Sequence, residues 1–269
     1  MISSVVPKVV QGGIEALLRE DDLELVREAL PGEIKMLEAM VYAYPPVSLT
    51  LYSALAQAYT AYGWIFLEYT EPERAAQFYR KGREWGIEGL KKIHSHLGLD
   101  RTIKEFEEGV KRLKSEDVEI VLWTTVAWAL WLLHQKSDFE VSTLGELPRI
   151  NLLLNWLNQY QPRYFYAMPL FLKGLFLSRV PALMGGGLDK GEIELKKGLE
   201  YSENLFLWGK VWLAEFIYLP MERKEDFIQI LHQALNSPEE EPPELRLLNR
   251  SARLRAQTLL SQVDHLFLE

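Results

Sequence analysis

The chain has 269 residues, of which 48% are hydrophobic and 25% are charged. This composition suits one or two globular domains and excludes a disordered or collagen-like chain. The absence of cysteine excludes disulfide scaffolds, cysteine-ligated zinc, iron–sulfur clusters and thiol catalysis. The formal net charge of −8 argues against non-specific binding to nucleic acid, because neutralising phosphates requires a basic surface.

The first 44 residues are predicted to form an N-terminal helical segment. Residues 1–18 lack the charged and apolar regions of a signal peptide, so we expect any signal to be missing from this chain if the native protein is exported. Further along, prolines and glycines divide the sequence into segments of helical length. Alternating β-branched runs are absent, and the sequence therefore predicts an all-α fold without a sheet.

Three segments are too apolar for ordinary surface helices. Residues 47–67 and 120–133 carry no charge, and residues 164–178 carry only Lys173. A helix that is apolar on every side is either buried inside a helical assembly or spans a membrane. The polar residues within 47–67 and the charged, amphipathic neighbouring segments favour the buried helix, with a membrane protein as the alternative.

Small and aromatic residues recur at the spacing of tetratricopeptide helix pairs. Gly63, Ala75 and Gly82 would let two antiparallel helices approach closely. Gly191 and Gly198 form a second, partial copy, and residues 227–234 form a weaker third copy. We therefore expect a single domain over 1–269, built as an array of antiparallel helix pairs with degenerate tetratricopeptide-like repeats at 45–237. A long amphipathic C-terminal helix at 243–267 is expected to close it.

No catalytic, metal-binding or cofactor-binding pattern is visible. The five histidines lack metal-ligand spacing, and the glycines at 185–187 lack the strand and the lysine of a phosphate-binding loop. Residues 239–241 are predicted to form a solvated acidic loop. The arginines of the C-terminal helix are predicted to form its solvated basic side rather than an anion site; they are Arg246, Arg250, Arg253 and Arg255.

The surplus of aromatic residues is the informative feature. For any single residue ordinary core packing is the simpler interpretation, but rings with hydroxyl or indole groups also suit the walls of an apolar cavity or a protein interface. The predicted lining residues of such a cavity are Tyr52, Tyr59, Trp123, Trp128, Tyr164 and Trp208. An apolar or amphipathic small molecule such as an organic acid is the expected ligand.

Four stretches taken together resemble a known family. The C-terminal string at 247–267, the charged segment AAQFYRKGREWGIEGL at 75–90, the segment LWTTVAWAL at 122–130, and residues 185–198 followed by Phe227 occur in the order typical of that family. They resemble the T component of tripartite ATP-independent periplasmic (TRAP) transporters over roughly residues 45–267.

The resemblance implies cryptic tetratricopeptide-like helix pairs, a homotrimer, and an apolar tunnel through each protomer. It also implies a periplasmic, lipid-anchored location and a complex with the substrate-binding P subunit of a transporter. Two features depart from the family. The lipid-bearing N-terminal cysteine is absent, and Gly191 stands where alanine is usual, which predicts a looser second helix pair. The resemblance supplies no catalytic residues.

The resulting hypothesis is a non-enzymatic periplasmic accessory protein of a TRAP transporter that needs no cofactor and binds no nucleic acid. Two alternatives come from other classes. One is a helical-repeat scaffold that binds only proteins and has no ligand cavity. The other is an integral membrane protein that uses the three apolar segments as spans.

Overall fold

The computed structural model describes residues 2–43, 48–134, 145–238 and 241–267, and within these ranges it contains thirteen α-helices and no β-strand. The predicted all-α class is therefore confirmed. The helices are α1 (Ile2–Leu18), α2 (Leu23–Ala43), α3 (Leu49–Tyr62), α4 (Pro72–Ile93), α5 (Ile103–Val110), α6 (Val118–Leu133), α7 (Leu147–Tyr160), α8 (Tyr164–Arg179), α9 (Leu188–Tyr201), α10 (Trp208–Leu213), α11 (Lys224–Leu235), α12 (Arg246–Ser261) and α13 (Val263–Leu266).

The contacts of the chain group into two compact units. Unit 1 comprises Met1–Ala16 and Glu24–Gln161, and unit 2 comprises Leu17–Leu23 and Pro162–Glu269. The boundary between Gln161 and Pro162 falls inside the predicted repeat segment at 45–237. The assignment of one domain over 1–269 stays a prediction.

Helix α4 is the centre of unit 1, because it packs against both α3 and α6. Its glycines make these contacts close. A Cβ atom on Gly82 would lie 2.9 Å from the Thr60 hydroxyl oxygen, and one on Gly86 would lie 2.2 Å from that of Thr124. Side chains at these positions would force the helices apart, which explains why small residues recur in this segment.

The segment predicted as a buried helix at 120–133 is buried in the structure. Every residue from Ile120 to Leu130 is buried within unit 1. The Thr124 and Thr125 hydroxyls donate hydrogen bonds to the carbonyls of Ile120 and Val121, so their polar groups are satisfied inside the core. Within the described ranges, no helix combines the length and hydrophobicity needed to cross a membrane.

In unit 2, α8 packs along α9 with close backbone contact. A Cβ atom on Gly191 would lie 2.9 Å from the carbonyl oxygen of Gly174 and from the Ser178 Cβ atom. The expectation of a looser second pair is wrong here, because the glycine permits a tighter approach than alanine would.

Three helices depart from regular α-helical geometry at one end. Helix α3 continues into a π-helical turn at Gly63–Leu67, and α10 continues into one at Ala214–Tyr218. Helix α8 starts with three residues in the left-handed region, Phe165, Tyr166 and Ala167, whose φ values are 44°, 52° and 63°. The predicted helix at 164–178 is therefore right-handed only from Met168 onward.

The C-terminal stripe is buried as predicted, but the helix is not continuous. Leu245, Leu248 and Ala252 are buried. However, α12 ends at Ser261, and Gln262, with φ −105° and ψ 3°, separates it from the short α13. The single helix predicted at 243–267 is thus divided.

Glu241 corrects the prediction of a solvated acidic loop. Its side chain is only 11% exposed, lies 3.3 Å from Arg253 and accepts a hydrogen bond from the Asn249 amide. The two other residues of the run, 239 and 240, lie outside the described residues. Arg255 likewise binds Glu215 and is mostly buried, whereas Arg246 and Arg250 are exposed as predicted.

Candidate functional site

Four of the six predicted lining residues lie in unit 1 and are buried. Tyr52 and Tyr59 are on α3, and Trp123 and Trp128 are on α6. Both helices pack against α4. The aromatic surplus of these helices is therefore inside unit 1 rather than on its surface.

The Tyr59 hydroxyl shows how the polar end of a buried ring is satisfied. It donates a hydrogen bond to Glu38 of α2. Burial, followed by the bond to Glu38 and the charge of that carboxylate, raises the pKa of Tyr59 well above its ordinary value of 10.0. The ring stays a neutral donor at any physiological pH.

Trp128 belongs to a buried charged cluster that includes Arg83 and Glu146. The Arg83 guanidinium lies 5.0 Å from the centre of the Trp128 ring and 4.4 Å from that of Trp131, and it is 2.7 Å from both carboxylate oxygens of Glu146. The Trp128 indole N–H also donates to Glu146. Two rings and one carboxylate thus hold a cation that is only 7% exposed.

A second polar cluster in unit 1 joins Glu68, Tyr79 and His134. The Tyr79 hydroxyl donates to Glu68, and His134 Nε2 lies 3.8 Å from the other Glu68 oxygen. The rings of Tyr79 and His134 are 5.2 Å apart. Burial, followed by the charge of Glu68, raises the pKa of Tyr79 well above its ordinary value.

The two remaining predicted lining residues lie in unit 2. Trp208 is buried at the start of α10, and its indole N–H donates to the Ser251 hydroxyl at 3.0 Å. Tyr164 is half-buried at the start of α8, immediately before the left-handed residues. The six residues divide between two units: the four of unit 1 lie in one helical core, and of the two in unit 2 only Trp208 is fully buried. Their role as the walls of one tunnel stays a prediction.

Three cavities of the described residues are lined by other side chains. In unit 1, a groove of about 540 Å³ lies between the end of α5 and α7, beside Trp156 and the exposed Tyr160. In unit 2, a shallow, solvent-open groove of about 690 Å³ lies beside Lys210 and Asn204, and most of the surface that it exposes is apolar. A third cavity, of about 490 Å³, lies between Arg246, Arg250 and Arg253.

Sequence reasoning missed three charged residues that the structure singles out: Arg83, Glu146 and Lys210. Arg83 lies inside the charged segment that carries the family resemblance, so its position was a usable signal. Glu146 lies far from it in sequence, and its partnership follows only from the packing of α6 and α7. Lys210 stands in the apolar string LFLWGKVWL at 205–213, where a charged residue is unusual.

The chain groups no metal ligands in the ranges that the structure describes, where no cluster of three His, Asp or Glu side chains could hold an ion. His94 and His96 serve a local role instead, because the His94 ring accepts a hydrogen bond from the backbone N–H of His96. These features define an all-helical protein whose helical cores are rich in aromatic residues and buried ion pairs.

Comparison with known proteins identifies the family. A family model described as the TRAP transporter T-component matches residues 19–267. The chain therefore belongs to the family of TRAP transporter T-components, which confirms the resemblance drawn from the sequence. Members of this family are accessory components of a transporter, and the family is not a known class of enzymes.

A curated relative comes from Treponema pallidum (strain Nichols). It is 23% identical to this chain over 274 residues, which cover 93% of this chain and 82% of the relative. That protein is described only as uncharacterized. The similarity therefore extends over most of both chains but indicates no activity.

Proposed function

We propose that this chain is a non-enzymatic accessory protein that binds the substrate-binding P subunit of a TRAP transporter. The observation that carries this proposal is the family match over residues 19–267. This match extends over nearly the whole of the all-helical chain. The family role also implies a periplasmic location, a lipid anchor in the native protein and a homotrimer.

The helix pairs support a tetratricopeptide-like arrangement. In unit 1, α3 and α4 follow each other in the chain and pack closely through glycines, and in unit 2 the same is true of α8 and α9, which a segment of eight residues joins. Pairs of this kind present long exposed faces, which is how helical repeats bind other proteins. The P subunit would dock on such a face.

The ligand proposed for the chain is an apolar or amphipathic organic acid held in an internal tunnel. In unit 1 its walls would include Tyr52, Tyr59, Trp123 and Trp128. Burying about 200 Å² of apolar ligand surface would contribute about 5 kcal/mol before ordering costs. This is enough for reversible holding and release, which is what a carrier requires.

The scaffold without a cavity is the second candidate, and one observation favours it. Each of the four lining residues in unit 1 is buried, and the cavities described above are lined by other side chains. In that case the aromatic residues serve only to pack the core, and the chain binds proteins alone.

Native mass spectrometry of the purified chain, alone and mixed with the P subunit, tests these proposals together. We expect a trimer that retains a small molecule and a further species containing the P subunit. A trimer that binds the P subunit but carries no small molecule, whether as purified or after incubation with medium-chain fatty acids, would favour the scaffold.

Replacing Trp128 by phenylalanine tests the lining assignment with little loss of core volume. We expect the affinity for a retained organic acid to fall several-fold, whereas the matched change Trp156→Phe on α7 should leave it unchanged. Equal affinities in both variants would remove Trp128 from the binding site.

A further inference from the structure

Lys210 in unit 2 is a buried cation whose hydrogen bonds all go to neutral groups. The residue is only 6% exposed. Its Nζ atom donates to the backbone carbonyl of Gln233 at 3.3 Å and to the Ser237 hydroxyl at 2.9 Å. An ammonium group has three N–H donors, so one donor remains after these two bonds.

No carboxylate accompanies this cation within the part of the chain that the structure describes. Arg83, Arg253 and Arg255 are also largely buried, and each meets a glutamate. Lys210 has no such ion pair. The charged residue that acts on its pKa is Arg253, another cation. Burial, followed by this repulsion, lowers the pKa of Lys210.

The ammonium group lies at the wall of the cavity in unit 2. This cavity of about 690 Å³ is open to solvent, and Pro238 is the one lining residue without a polar side chain. Asn204, Gln229 and Asn236, which carry side-chain amides, line it together with Lys210, although most of the exposed surface is apolar. Amides offer both donors and acceptors, so they suit the hydroxyl and carbonyl groups of a polar organic molecule.

The backbone beside the cavity is strained. Asn204 has φ 61° and the preceding Glu203 has φ 53°, both in the left-handed region. Asparagine tolerates this region, but glutamate rarely adopts it. Strained residues persist where the surrounding structure holds them in place, and they cluster at binding sites.

Helix capping explains only part of this arrangement. The Gln233 carbonyl belongs to the last turn of α11, where a cation is favourable because carbonyl groups lack helical partners there. That role accounts for the bond to Gln233 but leaves the third N–H and the groove beside it without a function. A buried cation is most stable when an anion pairs with it.

We propose that the cavity beside Lys210 binds a small polar carboxylate. The carboxylate accepts a hydrogen bond from Lys210 Nζ, and the amides of Asn204, Gln229 and Asn236 bind its hydroxyl or carbonyl groups. A single spare donor matches one carboxylate better than a phosphate, which needs several donors. The inference goes beyond the proposed transport role, because it rests on Lys210 and its cavity alone.

Isothermal titration calorimetry of the full chain with acetate, malate and gluconate tests this site, with malamide as the neutral counterpart of malate. We expect at least one of the carboxylates to bind the unmodified chain and malamide not to bind. Lys210→Met should weaken carboxylate binding at least tenfold. The matched control Lys190→Met removes an exposed lysine of the same unit that also donates to a backbone carbonyl, and it should leave binding unchanged.

A second variant and a second measurement guard against loss of folding. Lys210→Gln keeps a donor for Gln233 and should also lose the carboxylate. In the unmodified chain labelled with ¹⁵N-lysine, adding the bound carboxylate should raise the pKa of the Lys210 ammonium group.

Three results would overturn the proposal: no binding of any of the three carboxylates, equal binding by Lys210→Met, or tighter Lys210-dependent binding of inorganic phosphate. Binding of the P subunit to Lys210→Met, measured separately, distinguishes failure of this site from failure of the transport role.

Discussion

Buried charges in this chain are stabilised by specific partners, and Arg83 is the best example. Its guanidinium group is held by both oxygens of Glu146 and by two indole rings. Burial lowers the pKa of Arg83, and the charge of Glu146 opposes that effect. The carboxylate of Glu146 therefore offsets most of the free-energy cost of burying this cation.

Removing that carboxylate should destabilise unit 1. We expect Glu146→Gln to lower the free energy of unfolding by about 2–3 kcal/mol, because it leaves Arg83 buried without a counter-charge. Urea unfolding followed by circular dichroism measures the change. Glu119→Gln is the control: burial raises the pKa of Glu119, so the neutral amide should leave stability unchanged or increase it. Equal losses in both variants would contradict this account of Arg83.

A carboxylate in unit 2 should make stability depend on acid pH. Burial by itself would raise the pKa of Glu192, but hydrogen bonds from Lys196 and Arg223 outweigh it and lower the pKa below the ordinary value of 4.5. The folded state thus binds a proton less readily than the unfolded state does. The contribution of Glu192 is complete above about pH 4.5 and is lost as the pH falls through the lower folded value.

Replacing Glu192 by glutamine should therefore flatten the fall in stability below about pH 4.5. The urea concentration at the midpoint of unfolding is measured at a series of pH values from neutral to acid. Its change with pH gives the slope of stability against pH. The control Glu200→Gln removes an exposed carboxylate from the same helix and should keep the slope of the unmodified chain. The same slope in Glu192→Gln would show that its partners contribute nothing to acid stability.

At the scale of the elements, the glycines of α4 set how closely the helices of unit 1 pack. A methyl group at position 86 would lie within 3 Å of three Thr124 side-chain atoms. We expect Gly86→Ala to destabilise the chain by about 2 kcal/mol through overpacking. Thermal unfolding checks this, and adding Thr124→Ala should recover part of the loss because it removes two of the three clashing atoms and leaves only the Cβ atom.

Gly32 provides the matched control for this substitution. It lies in α2, and a Cβ atom there would have no neighbour within 4 Å. Gly32→Ala should stabilise the chain by about 0.5–1 kcal/mol, because alanine has the higher helix propensity. A stabilising Gly86→Ala would mean that α4 and α6 do not pack as closely as described.

The helices could be predicted from the sequence because their signals are local. The uncharged run at 120–133 indicated burial on every side, and the steps of three and four after Leu245 indicated a buried stripe. The division at Gln262 and the left-handed start of α8 carried no comparable signal. Beside the left-handed start of α8, the Tyr166 hydroxyl donates a hydrogen bond to Glu244, a contact between segments that are distant in sequence.

The candidate site was less predictable for the same reason. Aromatic residues were visible as a surplus, but whether a ring packs a core or lines a cavity depends on its neighbours in space. Glu241 appeared to belong to a solvated acidic run, and only its contacts with Arg253 and Asn249 place it in a buried ion pair. The apolar residues around Lys210 in the sequence made this lysine unusual. Its proposed role in binding a carboxylate follows only from the cavity beside it.

For the whole molecule, the proposed function predicts a trimer and a complex with the P subunit. We expect the purified chain to sediment as a trimer in analytical ultracentrifugation, at a mass that does not change on dilution through the micromolar range. A monomer at every concentration would contradict the assembly that the family role implies.

The proposed role as an accessory component requires that this chain bind the P subunit of a TRAP transporter. Equilibrium titration of the purified chain with that P subunit tests it most directly. We expect the chain and the P subunit to form a saturable complex of fixed stoichiometry. The absence of any complex at concentrations well above micromolar, with both proteins folded, would contradict it.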